Sequence, residues 1–167
     1  QPTNQFLSVD GFKQWMGNRF TKVGKKDVPL AAQWMQSPGR RQYSGLVFAP
    51  SGAPEDYYNL WKGFGIGADN SGSCQLFLDH VLENICANDG TLFSWVMGWF
   101  AHIVQHPDDK LGTSLVLRGK QGTGKTVVGS VFGKLFGQHY VQVADPRYIV
   151  GQFNSHLSSC LLLHCDE

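Results

Sequence analysis

Residues 119–126 read Gly-Lys-Gln-Gly-Thr-Gly-Lys-Thr, a G-x-x-x-x-G-K-T run between an apolar segment and an amphipathic one. Each position in such a run answers to a physical demand. A loop that turns its backbone N–H groups towards a phosphate needs residues without a Cβ, and Gly119, Gly122 and Gly124 supply them. Lys120, Gln121 and Thr123 complete the expected cradle. The helix expected to begin at Gly124 points its N-terminus at the same anion. Lys125 then reaches the β- and γ-phosphates, and the Thr126 hydroxyl is the expected magnesium ligand. The context also favours this reading over a glycine turn without a ligand, because a strand-like run enters the loop and an amphipathic helix leaves it.

The alternation of elements around this loop sets the expected fold class. TSLVLRG (113–119) reads as a continuous buried strand. Residues 125–136 read as a helix with Val127, Val128, Val131, Phe132, Leu135 and Phe136 towards a core. His139–Val143 is a short strand, Asp145-Pro146 opens another helix, and SSCLLLHCDE (158–167) is a buried strand ending on two acids. Strand, loop, helix, strand, helix, strand is the order of an α/β fold with a parallel sheet. The expected class is therefore an α/β P-loop NTPase sheet, incomplete, preceded by a small mainly helical subdomain.

Open sheets of this kind bind ligands at the C-terminal edge of their strands. Asp166 and Glu167 would be delivered there, 41 residues after Lys125. Asp166 would hold magnesium through water, while Glu167 would orient the attacking water and take its proton. Adjacent acids alone are common on surfaces; the leucine strand before them and the distance from the loop give the pair its meaning. It points to an ATPase that hydrolyses its nucleotide. A nucleotide or small-molecule kinase would need a substrate pocket and an arginine-bearing lid, and neither is visible between the motifs. A non-catalytic nucleotide switch is the third reading, which an intact Glu167 disfavours.

Ahead of the loop the chain reads as short elements. Phe6, Val9, Phe12, Trp15 and Met16 give a rough helical face with Ser8 as cap. TKVGKKDVP (21–29) reads as a polar, basic break, and LAAQWMQ (30–36) as a helix stopped by Pro38-Gly39. The Leu-Val-Phe core of YSGLVFAP (43–50) suggests a strand, and 51–73 an ordered aromatic loop that packs on the following helices. CQLFLDHVLENIC is a helix with Ser73 as cap. Leu92, Trp95, Val96, Trp99, Phe100, Ile103 and Val104 form a helical core stripe, capped by Asp89 or Thr91 and ended by Pro107. The expected segments are an N-terminal region over 1–50, a helical subdomain over 51–107 and the first half of an ATPase domain over 108–167.

Composition excludes some classes. At 42% hydrophobic and 16% charged residues, the chain can build a core. No apolar run approaches the roughly 18–20 residues that span a bilayer, and no secretory signal opens the chain. Gln1 and the acids at the other end make both ends read as cut from a longer polypeptide. Net charge is +1, divided as +4 over 1–62 and −3 over 63–167; the basic part suits nucleic acid or simply a solvated surface. Cys74, Cys86, Cys160 and Cys165 lack metal-ribbon spacing even with His80 and His164 nearby. Cys160 and Cys165 read as small buried hydrophobes, and a reducing cytosol is the expected compartment.

Several segments in order resemble phage and viral primase-helicases, the superfamily 3 helicases of the AAA+ class. They are RRQYSGLVFAP, YYNLWKGFG, WVMGWFAHIVQHP, LVLRGKQGTGKT, KLFGQHY, GQFNSHL and LLLHCDE, spanning about residues 31–167. The resemblance implies a hexameric ATP- and Mg2+-dependent motor on single-stranded DNA, with an arginine finger from a neighbouring subunit and a primase module upstream. GQFNSHL is typical of the family, but Asn154 and His156 gain no specific role from it. The family's sensor strand, which lies between the loop strand and the acid strand, follows the acids in the chain. Its DNA-contacting hairpin and arginine finger follow as well. The expectation is that 1–167 alone exposes sheet edge, is marginally stable and hydrolyses ATP poorly. Lys22, Lys25, Lys26, Arg40 and Arg41 are weaker candidates for DNA contact.

Overall fold

The computed structural model describes residues 6–145 and 157–166. The chain divides into two compact units, Gln1–Gly45 and Leu46–Glu167.

In the first unit, α1 (Val9–Trp15) starts where the Ser8 hydroxyl accepts from the Gly11 N–H at 3.0 Å. β1 (Phe20–Val23) and β2 (Lys26–Pro29) form an antiparallel hairpin in which Val23 faces Lys26. The basic break expected over 21–29 is thus a hairpin. Its turn uses Gly24-Lys25, with Gly24 at φ +64°, the Gly-first pattern of a two-residue hairpin loop. Both faces of the hairpin are largely exposed, so no apolar alternation announces it. α2 (Leu30–Gln36) follows directly, burying Ala31 and setting Trp34 5.4 Å from Phe12 between ring centroids.

The second unit opens with β3 (Gly45–Val47) paired to β4 (Tyr57–Asn59), so part of the expected aromatic loop is a strand. Asn59 holds this corner: its amide oxygen accepts from Ala49 and Trp61 N–H groups, and its NH2 donates to the Ala49 carbonyl. α3 (Gln75–His80) continues into one π-helical turn, Val81–Ile85. α4 (Gly90–Gln105) begins where the Asp89 carboxylate accepts from Thr91 and Leu92 N–H groups, and it stops before Pro107. α5 (Lys125–Gly133) runs into a 3₁₀ segment, Lys134–His139, broken at Gly137. β5 (Tyr140–Val143) and β6 (Leu162–Cys165) pair in parallel, Tyr140 opposite Leu162 and Val143 opposite Cys165.

One core joins the π-helical turn, α4, α5, the 3₁₀ segment and β6: Val81, Cys86, Val96, Phe100, Ile103, Val128, Phe132, Phe136 and Leu162, with Phe77 of α3 and Tyr140 of β5 packed against it. The expected segments 51–107 and 108–167 therefore share their buried surface within one unit. Phe100 of α4 lies 4.2 Å from Phe132 of α5 between ring centroids, a close aromatic contact. Of the expected stripes, Leu92, Trp95, Val127 and Val131 are exposed. Cys165 is exposed too, contrary to expectation, while burial raises the half-buried Cys160 thiol to about 11.

Residues 113–119 form no strand. Leu115 and Leu117 pack against the core, while Val116 between them is 86% exposed. The side chains alternate as in an extended chain, but no ladder pairs this segment among the described residues. An apolar run becomes a strand only with a hydrogen-bonded partner. The helix expected after Asp145-Pro146 lies outside the described residues. No described helix is long and apolar enough to cross a membrane.

Candidate phosphate-binding site

The G-x-x-x-x-G-K-T run forms a tight loop leading into α5. Gly122 and Gly124 have φ +80° and +79°, the left-handed region that excludes most side chains. Gly119 does not need that freedom: an added Cβ would meet Thr123 Oγ1 at an ordinary 3.5 Å. The Lys125 ammonium curls back over its own loop. It donates to the Gly119 carbonyl at 3.0 Å, the Lys120 carbonyl at 2.8 Å and Thr123 Oγ1 at 3.4 Å. Thr123 itself donates to the Lys120 carbonyl at 3.0 Å, so hydroxyl and ammonium together fasten the turn.

α3 braces the loop. Asn84 Nδ2 lies 3.1 Å from His80 Nδ1, and His80 Nε2 lies 3.3 Å from the Gly124 carbonyl. An amide NH2 can only donate, so Nδ1 accepts and the Nε2–H donates to Gly124. A Cβ on Gly124 would fall 2.4 Å from the His80 ring. His80 is a site residue that the sequence did not reveal, 44 residues from its partner.

Asp166 comes to the loop through the pleat of β6. Leu162, His164 and Asp166 alternate onto one face, the face that meets α5. A Cβ on Gly129 would strike the His164 ring at 2.6 Å, and one on Gly133 the Tyr140 ring at 2.4 Å. These two glycines, one helical turn apart, let α5 lie close to the strand pair. At its N-terminal end the Thr126 hydroxyl donates to Asp166 Oδ1 at 3.1 Å, while Gln142 Nε2 donates to Oδ2 at 3.4 Å. The structure thus brings Thr126 and Asp166 together beside the cradle of Gly119, Lys120, Gln121, Gly122, Thr123, Gly124 and Lys125. Glu167, Asn154 and His156 lie outside the described residues.

A cleft of about 390 Å3 opens beside the loop, reaching from Lys125 and Thr123 to Leu92 and Trp95 on α4 and Val116 on the unpaired segment. The outward apolar side chains of α4 and of 113–119 line this cleft. The chemistry available is an anion-sized turn with one ammonium, a helix N-terminus, and a hydroxyl and a carboxylate as a hard oxygen pair suited to Mg2+. Among the described residues no group of three or more His, Cys, Asp or Glu could hold a metal ion.

A second polar centre supports the strand pair. His139 is fully buried. Its Nδ1 donates to the Ser159 carbonyl at 2.8 Å and its Nε2 accepts from the Lys62 N–H at 3.0 Å. Trp61 stacks on it at 4.6 Å and Phe48 meets it edge-on at 5.2 Å. Trp61 and Phe64 thus pack on His139 and Phe136 of the 3₁₀ segment. Burial holds the His139 pKa below the usual imidazole value, with nearby Lys62 adding to the effect and the Ser159 hydrogen bond opposing it.

Residues 117–167 match a family described as a family of unknown function, DUF5906. The chain is 28% identical over 88 residues to a DNA primase-polymerase of Nitratiruptor phage NrS-1. That stretch is 53% of this chain and 12% of the relative, so the chain spans a small part of the protein it resembles. No solved structure matches.

Proposed function

We propose that this chain is the nucleotide-binding part of an ATP-hydrolysing motor of the superfamily 3 helicase type, working on single-stranded DNA in replication. The observation that carries this reading is the 3.1 Å approach of Thr126 Oγ1 to Asp166 Oδ1 beside the Lys125 loop. A magnesium site shared by a loop hydroxyl and a strand-end carboxylate is how such ATPases hold their nucleotide. The partial likeness to a phage DNA primase-polymerase favours a place in DNA replication.

In this reading the N–H groups of the loop and the Lys125 ammonium hold the phosphates of ATP, and Thr126 and Asp166 hold Mg2+. The bound nucleotide supplies a phosphoanhydride whose cleavage releases the energy for movement. Lys125 offsets the negative charge that gathers on the transferred group. Glu167 orients a water and takes its proton. The proposed assembly is a hexamer whose neighbouring subunit lends an arginine, with a primase module upstream.

Lys125→Ala should abolish nucleotide binding, whereas Glu167→Gln should retain binding and lose hydrolysis. Hydrolysis that survives Glu167→Gln would show that another group is the base. Transfer of the phosphate to an acceptor other than water would make the protein a kinase. ATPase activity indifferent to single-stranded DNA would favour the switch.

A further inference from the structure

We propose that the first unit carries a binding surface for single-stranded nucleic acid on α1, α2 and the β1–β2 hairpin. Residues 1–45 contain seven Lys and Arg against two Asp, a net +5, while the remaining residues carry −4. Phosphate chains are drawn to such a concentration of positive charge.

Charge alone fits any polyanion; the aromatic side chains narrow the choice. Trp15 is 65% and Trp34 46% exposed. Trp15, Trp34 and Phe12 line a groove of about 420 Å3 with Arg40 among its walls. The Arg19 guanidinium lies over the Trp15 ring, 5.5 Å from its centre, and Phe20 beside it is exposed as well. Flat π-faces set beside the Arg19 and Arg40 guanidinium groups suit unstacked bases joined by phosphates, since bases stack on aromatics with little regard to sequence. A duplex keeps its bases stacked inside and offers those rings nothing. A symmetric pairing of this unit with its own copy would set +5 against +5, which disfavours that occupant of the groove.

This surface is independent of the phosphate loop. The test is fluorescence anisotropy of a labelled 20-nucleotide oligothymidylate with the full 167-residue chain, beside the same length of oligouridylate and of duplex DNA. The expected result is binding of one or both single strands, tighter than duplex, that weakens steeply with salt. The tighter of the two single strands tells DNA from RNA. Trp15→Ala and Trp34→Ala should each weaken binding about tenfold, and Trp15→Tyr should restore most of it. Nucleotide binding by Trp15→Ala should match the unmodified protein, which separates this inference from the ATPase reading. No single-strand binding, binding equal for duplex and single strand, or binding unchanged by both alanine variants would overturn it. So would nucleotide affinity lost together with Trp15, or a self-association in sedimentation that Trp15→Ala abolishes.

Discussion

The Thr126 hydroxyl donates to Asp166 Oδ1 across 3.1 Å, joining the first turn of α5 to the end of β6 over 40 residues of sequence. Helix and strand run past each other in step, with Thr126 at Asp166, Gly129 at His164 and Gly133 at Tyr140, whose ladder partner is Leu162. Seven helical residues rise about 10 Å and four strand residues about 13 Å, so the contacts keep pace along both elements. Thr126→Ala and Asp166→Asn should each reduce the magnesium dependence of nucleotide binding. The loss should reach at least the ~10- to 100-fold seen when supporting groups around metal sites are removed. Thr126→Ser, which keeps the hydroxyl, should stay close to wild type. Titration of a fluorescent ATP analogue with Mg2+ and with EDTA separates the cases, and equal magnesium dependence in all variants would remove the pair from the metal site.

His80 acts through Gly124 without facing the cleft, so its effect should fall on nucleotide affinity and little on folding. Losing one hydrogen bond to a loop carbonyl is worth about 1 kcal/mol, roughly five- to tenfold in affinity. His80→Ala should show that loss with a melting temperature near wild type. His80→Gln, which retains a donor, should recover part of it. A fall in melting temperature with unchanged affinity would make His80 a packing residue only.

The loop was legible because each of its demands is local: left-handed glycines, then a lysine and a threonine at the start of a helix. The leucine run of β6 was legible for a similar reason, but only Leu162–Cys165 of the strand expected over 158–167 enters the ladder, with Asp166 directly after it. The strand expected at 113–119 was not, because Leu115, Val116 and Leu117 carry the propensity but a ladder needs a second chain segment, and sequence does not say whether one is in reach. The hairpin at 20–29 was hidden by its exposure. His80 and His139 escaped for another reason: their partners lie 44 residues away for His80, and 77 and 20 away for His139. Nothing in a local pattern marks a histidine as a long-range tie.

Gly129 and Gly133 sit inside a helix, where alanine is ordinarily favoured by about 1 kcal/mol. Here the sign should reverse. The added Cβ atoms would overlap the His164 and Tyr140 rings, and these rings are tied together, the Tyr140 hydroxyl lying 2.7 Å from His164 Nδ1. Neither ring can move aside without breaking that contact or lifting α5 off the strands. Gly129→Ala and Gly133→Ala should each destabilise by about 1–3 kcal/mol, and urea denaturation measures it. Should either variant gain stability, the close approach of α5 to β5 and β6 would be wrong.

His139 makes the second unit sensitive to acid. Its neutral ring uses both nitrogens, donating from Nδ1 to Ser159 and accepting at Nε2 from Lys62. A proton on Nε2 would place N–H against N–H in a site without water access. Burial therefore keeps the folded pKa below the ordinary 6.5. Between the folded pKa and 6.5 the unfolded chain binds more protons, so stability rises with pH in that window. The contribution is complete above 6.5 and is lost progressively as pH falls towards the folded value. Thermal melts across pH 5–8 should show this decline, and His139→Phe should flatten the slope. That variant should also be less stable at neutral pH, because the Lys62 N–H and the Ser159 carbonyl lose their partner at about 1–3 kcal/mol each. Parallel pH profiles for the two proteins would mean that the acid sensitivity belongs to other groups and that the His139 ring tolerates its proton.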